Sequence, residues 1–281
     1  MAETTAATRE NENIPTDEEI SWAKNIRSAM KAEDKPKELR EAANKMSDFF
    51  LLQLAIVSKG KVPKAVKRMN KYLSFKRKYK LDDLSYEESI EWAVNTFPGL
   101  VEGTGSRDVH GRVVSCLNYA QWLPAKIQSE RDWSLSCKFF LGNMEASVAT
   151  LAEARNGAVY LAQCDGVGWA NFSMEMEQTF AQLYQESYPL KLKSIAMTNG
   201  GWLLNTFVSM CKWFLTKKIS DRLVTCDESD LVGTDTNTFR YFETIDSLPS
   251  MFGGNFAQPY REWVAYRLDK RRLSIESVKL E

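Results

Sequence analysis

Residues 157–226 run GAVYLAQCDGVGWANFSMEMEQTFAQLYQESYPLKLKSIAMTNGGWLLNTFVSMCKWFLTKKISDRLVTC. Three short β-type runs, 157–164, 192–199 and 221–226, alternate there with two long helical patterns, 171–187 and 201–217. Strands separated by helices of this length predict an α/β layer with a largely parallel sheet and right-handed crossovers. Upstream, 112–118 adds another strand, and a helix over 132–155 leads from it to 157–164. The stretch Pro98–Gly111 holds four glycines and marks a change of pattern. Before it the chain reads as almost entirely helical, over 17–32, 36–57, 63–79 and from Ser85 to Asn95. Thr16 with Glu19 and Ser85 with Glu88 have capping-box spacing. Val62, Val66, Met69 and Leu73 share one face of the third helix. The expected organisation is a disordered polar tail over 1–15, a helical lobe over 16–97, an α/β domain over 98–265 and an extension over 266–281.

Composition narrows the function. At 281 residues, a large core needs no disulfide or metal to hold it. Basic and acidic residues balance at 37 each, against a globally basic nucleic-acid binder. Five cysteines with no CxxC pair argue against a disulfide framework and favour a reducing compartment. His110 is the single histidine, so His-rich zinc sites are excluded and a Ser-His-Asp or Cys-His mechanism would hang on one residue. The polar, acidic N-terminus lacks the apolar stretch of a secretory signal. No apolar run reaches the ~20 residues that span a bilayer. A cytoplasmic protein without metal or cofactor is expected.

Catalytic motifs are weak. Asp165-Gly166-Val167-Gly168 lies between a strand and a helix, but Asn171 stands where a dinucleotide fingerprint needs its third glycine, and Asp165 would repel a pyrophosphate. Ser106, Asp108 and His110 lie too close together in one loop to form a triad easily. Glu175 and Glu177 are two residues apart on a helix and do not share a face. The reading is that this is not an enzyme.

Charge is balanced globally but not locally. Ten basic residues and no acid lie between Lys59 and Lys80; six acids and no base follow between Asp82 and Glu102. The basic run is either a solvated helix face or a patch, including Lys64, Lys67, Arg68 and Lys71, that faces anionic lipid. Ten of the fourteen residues from Trp202 to Leu215 are apolar, spread around the whole helix. Such a helix is either buried or faces lipid on one side. Leu203, Phe207, Met210 and Phe214 form one stripe.

Five segments then line up in order with one family. Asp108-x-x-Gly111-Arg112-Val113-Val114 resembles D-x-x-G-R-P-V. The run Tyr160 to Gly168 resembles a strand ending D-x-x-G. Tyr188-Pro189-Leu190-Lys191-Leu192 is similar to Y-P-x-R-L, Lys212 to Leu215 to K-P-F-L with Trp213 for the proline, and Leu248-Pro249-x-x-Phe252-Gly253-Gly254 to L-P-x-x-Y-G-G. Over roughly 20–265 the chain resembles the CRAL-TRIO lipid-binding proteins. The resemblance implies a helical N-terminal lobe, a sheet flooring an apolar lipid pocket, and a gate helix, here 201–217, whose Trp202, Leu203, Phe207, Met210 and Phe214 would form the gate and touch lipid tails. In phosphatidylinositol-binding members a basic pair of the N-lobe, a gate-helix threonine and a basic residue one turn later hold the headgroup. The alignment puts Lys59 on one N-lobe position and Ser58 on its neighbour, Thr206 on the threonine, and Ser209 on the later basic position, with Lys212 a further turn along. The implied headgroup contacts are therefore Lys59, Thr206 and Lys212. The implied function is binding a phospholipid, phosphatidylinositol included, and transferring or presenting it at anionic membranes or to a lipid kinase. A sterol, a tocopherol-like molecule, phosphatidylcholine or a fatty acid fits the departures equally. Some relatives instead use the fold to bind proteins or small GTPases, with a vestigial pocket.

Overall fold

The computed structural model describes residues 12–101, 106–233 and 241–280. The expected tail falls outside them through residue 11. Residues 12–15 are pinned rather than loose. The Glu12 carbonyl and Asn13 side chain accept from the amides of Ala152 and Leu151, and Arg155 donates to the Ile14 carbonyl.

The N-terminal lobe contains α1 (Asp17–Lys31), α2 (Lys37–Lys45), α3 (Asp48–Ser58), α4 (Val62–Lys78) and α5 (Tyr86–Thr96). The Thr16 capping box forms as the spacing predicts, and Ser85 caps α5. The single helix expected over 36–57 is two. Ser47 leaves helical geometry and accepts the Phe50 amide, starting a new helix in a new direction. Helix α3 is buried on every side, which explains its unbroken apolar run. Its one polar interior side chain, Gln53, donates to the Tyr188 hydroxyl and the Pro189 carbonyl and accepts from Arg271.

The second lobe is built on four parallel strands in the order β1 (Val113–Asn118), β2 (Ala158–Gln163), β3 (Leu192–Thr198) and β4 (Leu223–Cys226). The crossover from β1 to β2 is also two helices, α6 (Glu130–Ala146) and α7 (Leu151–Asn156). Thr150 and Glu153 form a capping box that restarts the helix. Between β2 and β3, α8 (Met174–Gln182) ends in a π-helical turn, Leu183–Ser187. Between β3 and β4, α9 (Gly201–Lys212) is followed by the single turn α10 (Lys217–Ser220).

Alternate strand residues face opposite ways. Val114, Cys116, Val159, Leu161 and Ala196 pack under Leu231, Phe242, Leu248 and Phe252. That cover depends on Gly254, where a Cβ would lie 1.9 Å from the Leu248 carbonyl oxygen. The other sheet face looks toward α8 and α9.

The last element, α11 (Tyr260–Ser277), does not appear among the sequence-based expectations, and it runs across the expected boundary at 265. It packs on α6 and α3. Its inward positions include Arg267 and Arg271, both fully enclosed. Arg267 donates to the Ala146 carbonyl and pairs with Glu153; Arg271 donates to the Val148 carbonyl and to Gln53.

Candidate functional site

Between the sheet and the helices lies a cavity with about 1160 Å³ of empty space within its walls and mouth. Its floor is the upper sheet face: Ser115 and Leu117 of β1, Tyr160 and Ala162 of β2, Ile195 and Met197 of β3. Phe180, Ala181 and Tyr184 wall one side, and Phe207, Val208 and Cys211 of α9 roof it. The lining is overwhelmingly apolar, and the polar side chains in it are mostly spoken for. Asn143 donates to the Phe139 carbonyl and accepts from the Tyr260 hydroxyl; the Tyr160 hydroxyl lies 3.4 Å from that of Ser147.

The roof helix is the segment expected to be a gate, but its inward face differs from the expected stripe. Phe207 and Phe214 line the cavity, as do Val208, Cys211 and Leu215; Leu203 and Met210 do not. Trp202 is 74% exposed and points outward. The face is turned by about one residue, and the start of the helix fixes this. A Cβ on Gly200 would meet the Leu204 side chain at 2.3 Å, so Leu204, buried, is the residue drawn in at that end. Phe207 then stacks on Phe172 with ring centroids 4.5 Å apart, and Trp169 meets it edge-on at 5.1 Å.

The helix is also shorter than the expected 201–217. Gln185, in the π turn, donates to the Phe214 carbonyl and accepts the Thr216 amide, which ends α9 and starts α10. The π turn is itself held by Arg68, which donates to the carbonyls of Tyr188 and Gln185 at 2.5 and 3.0 Å, and by a Lys71–Glu186 ion pair. Arg68 and Lys71 are therefore tied between the lobes and not available as a membrane-facing patch. Burial lowers the Arg68 pKa, and it stays charged. Lys64 and Lys67 remain exposed.

Glu177 is a site residue that sequence reasoning passes over. It lies on α8, half-buried, and lines the cavity. The Tyr119 hydroxyl donates to its Oε1 at 2.5 Å. Burial raises its pKa, and the Tyr119 bond only partly opposes this. No Lys, Arg or His among the described residues forms an ion pair with it. The signal was present: Glu177, Phe180, Ala181 and Tyr184 have helical same-face spacing, so an acid interrupts an apolar stripe.

The expected headgroup residues do not converge. Thr206 donates its hydroxyl to the Trp202 carbonyl within α9, and Lys212 is exposed at the end of that helix. Lys59, in left-handed backbone at the end of α3, instead stands in a cluster drawn from three segments. Lys61 and Lys64 follow it in sequence, Lys191 precedes β3 and Lys193 lies at its start, and Lys218 and Arg222 come after α9. Burial lowers the pKa values of Lys64, Lys191, Lys193 and Lys218, and mutual repulsion within the cluster lowers them further. Lys193 is the extra residue where β3 slips its register against β2, and Arg112, Arg222 and Lys59 are its charged neighbours.

The motif residues are architectural. Asp108 accepts from the amides of His110 and Arg112 and pairs with the Arg112 side chain. Asn171, in the place of the missing glycine, accepts from the Gly168 amide and donates to the carbonyls of Ala120 and Trp122, filling the loop where a phosphate would need to sit. A parallel sheet thus floors an apolar cavity that α9 roofs. Residues 99–254 match the CRAL/TRIO domain, and the chain belongs to that family, whose members bind and transfer lipids and other hydrophobic molecules. Its fold is similar to that in the crystal structure of Sfh5, with a TM-score of 0.53 at 15% identity over 89% of this chain and 95% of that one. No helix among the described residues is long and apolar enough to cross a membrane.

Proposed function

We propose that the protein takes a phospholipid, phosphatidylinositol among the candidates, from an anionic membrane surface, holds its acyl chains in the cavity under α9, and returns it to a membrane or presents it to a lipid kinase. It performs no chemistry on the lipid. The observation that carries this reading is the apolar cavity between the sheet and α9, and the basic cluster of Lys59, Lys191, Lys193 and Lys218 elsewhere on the molecule supports it. Moving a two-tailed lipid through water exposes about 30 methylene groups at ~0.8 kcal/mol each, roughly 24 kcal/mol. A cavity that swallows the tails removes that cost, and a basic cluster suits a phosphate. The outward Trp202 and Trp213 are of a residue type suited to a membrane interface. Native mass spectrometry of gently purified protein, followed by lipid extraction, tests the reading. A stoichiometric phospholipid, lost when Lys59 and Lys193 are replaced by Glu, is the expected result. A protein that is empty, and that refuses phospholipid from vesicles, overturns it.

A further inference from the structure

Within the apolar lining, Glu177 is an anomaly that packing does not explain. A carboxyl in such a place costs free energy unless it is neutral or paired with a cation. Its titratable neighbours are Tyr119, on the turn after β1, Tyr184, about two helical turns further along its own chain, and Cys211, on α9. None of these is a base. With no ion-pair partner among the described residues, a carboxyl in this apolar lining is favoured as the neutral acid, the form that carries a proton to donate. Tyr119 already donates to Oε1, which leaves the acid O–H as the group that meets a ligand.

We infer that Glu177, oriented by Tyr119, is the polar anchor of the cavity: it selects hydrophobic ligands whose buried end carries an uncharged oxygen acceptor and rejects those whose buried end is anionic. This rests on the cavity being the lipid site and adds a rule about what enters it. A neutral acid O–H donates to a hydroxyl or to an ester carbonyl. An entering carboxylate would also accept from it, but would itself have to be desolvated in an apolar cavity with no compensating cation. The ester carbonyls of a glycerolipid and the hydroxyl of a lipid alcohol share the required chemistry.

The test measures uptake of four radiolabelled probes from phosphatidylcholine vesicles by the full chain at neutral pH: octadecane, 1-octadecanol, methyl octadecanoate and octadecanoate. Octadecanol or the methyl ester should load about tenfold better than octadecanoate, and whichever of the two loads better identifies the oxygen recognised. Glu177→Leu should remove that preference while octadecane still enters. Glu177→Gln, which keeps a neutral donor, should preserve it, and Tyr119→Phe should weaken it. Octadecane loading with no preference among the oxygenated probes, or a preference that survives Glu177→Leu, overturns the anchor and leaves the cavity reading intact. Failure of every probe to enter the wild-type protein overturns both.

Discussion

At the residue scale, charge buried between partners decides how the protein responds to acid. Glu153 is enclosed, which works against its ionised form. The guanidiniums of Arg267 and Arg107 outweigh that and hold its pKa at about 2, against an ordinary value of 4.5. A depressed folded-state pKa stabilises the native state above the unfolded value, and the stabilisation is lost as pH falls toward the folded one. Between about pH 4.5 and about pH 2 the wild-type melting temperature should fall steeply, and Glu153→Gln should show a shallower slope there. Equal slopes would show that the Arg267–Glu153–Arg107 network does not govern acid stability. Such pairs are hard to read in a sequence, because Arg107, Glu153 and Arg267 come from three distant segments. The same is true of the basic cluster: Lys59 is visible through family resemblance, whereas Lys191, Lys193 and Lys218 join it only through the fold.

At the element scale, α4 serves two ends. Arg68 and Lys71 clamp the π turn, and Lys64 and Lys67 face outward. The double variant Lys64→Glu, Lys67→Glu should weaken binding to anionic vesicles, more so at low salt, with little change in melting temperature. Arg68→Glu should instead destabilise the fold by about 3 kcal/mol, because it breaks buried bonds to two carbonyls. Co-sedimentation with phosphatidylserine vesicles and thermal melts check both; unchanged vesicle binding of the double variant would remove α4 from the membrane-facing surface. The strands and most helices are legible in the sequence because their apolar periodicity is regular. The breaks at Ser47 and Thr150 are not, since a serine or threonine inside a helical pattern turns into a cap only when packing redirects the chain. The position of α9 is legible, but its inward face is not, because an all-round apolar helix offers several stripes of equal quality. Helix α11 escapes notice because Arg267 and Arg271 occupy the positions where an apolar stripe would be expected.

At the scale of the whole molecule, α11 closes the two lobes together. It reaches Gln53 of the helical lobe and the carbonyls of Ala146 and Val148 at the end of α6. A chain ending at residue 259 should therefore lose cooperative unfolding altogether, as read by circular dichroism; a truncated protein that melts like the full chain would show that the lobes hold without it. The distribution of the aromatic side chains has one more consequence. Of the eight tryptophans, Trp122 and Trp263 are buried, Trp22, Trp92 and Trp133 are partly so, and the three that stand exposed are Trp169, Trp202 and Trp213. Trp202 lies on α9, Trp213 at its end and Trp169 against its Phe207. Intrinsic fluorescence thus divides by place: red-shifted emission from the three exposed tryptophans around α9, blue-shifted emission from the buried ones, and among the latter Trp122 lines the cavity, so a brominated lipid held there would quench Trp122 while leaving Trp263 bright.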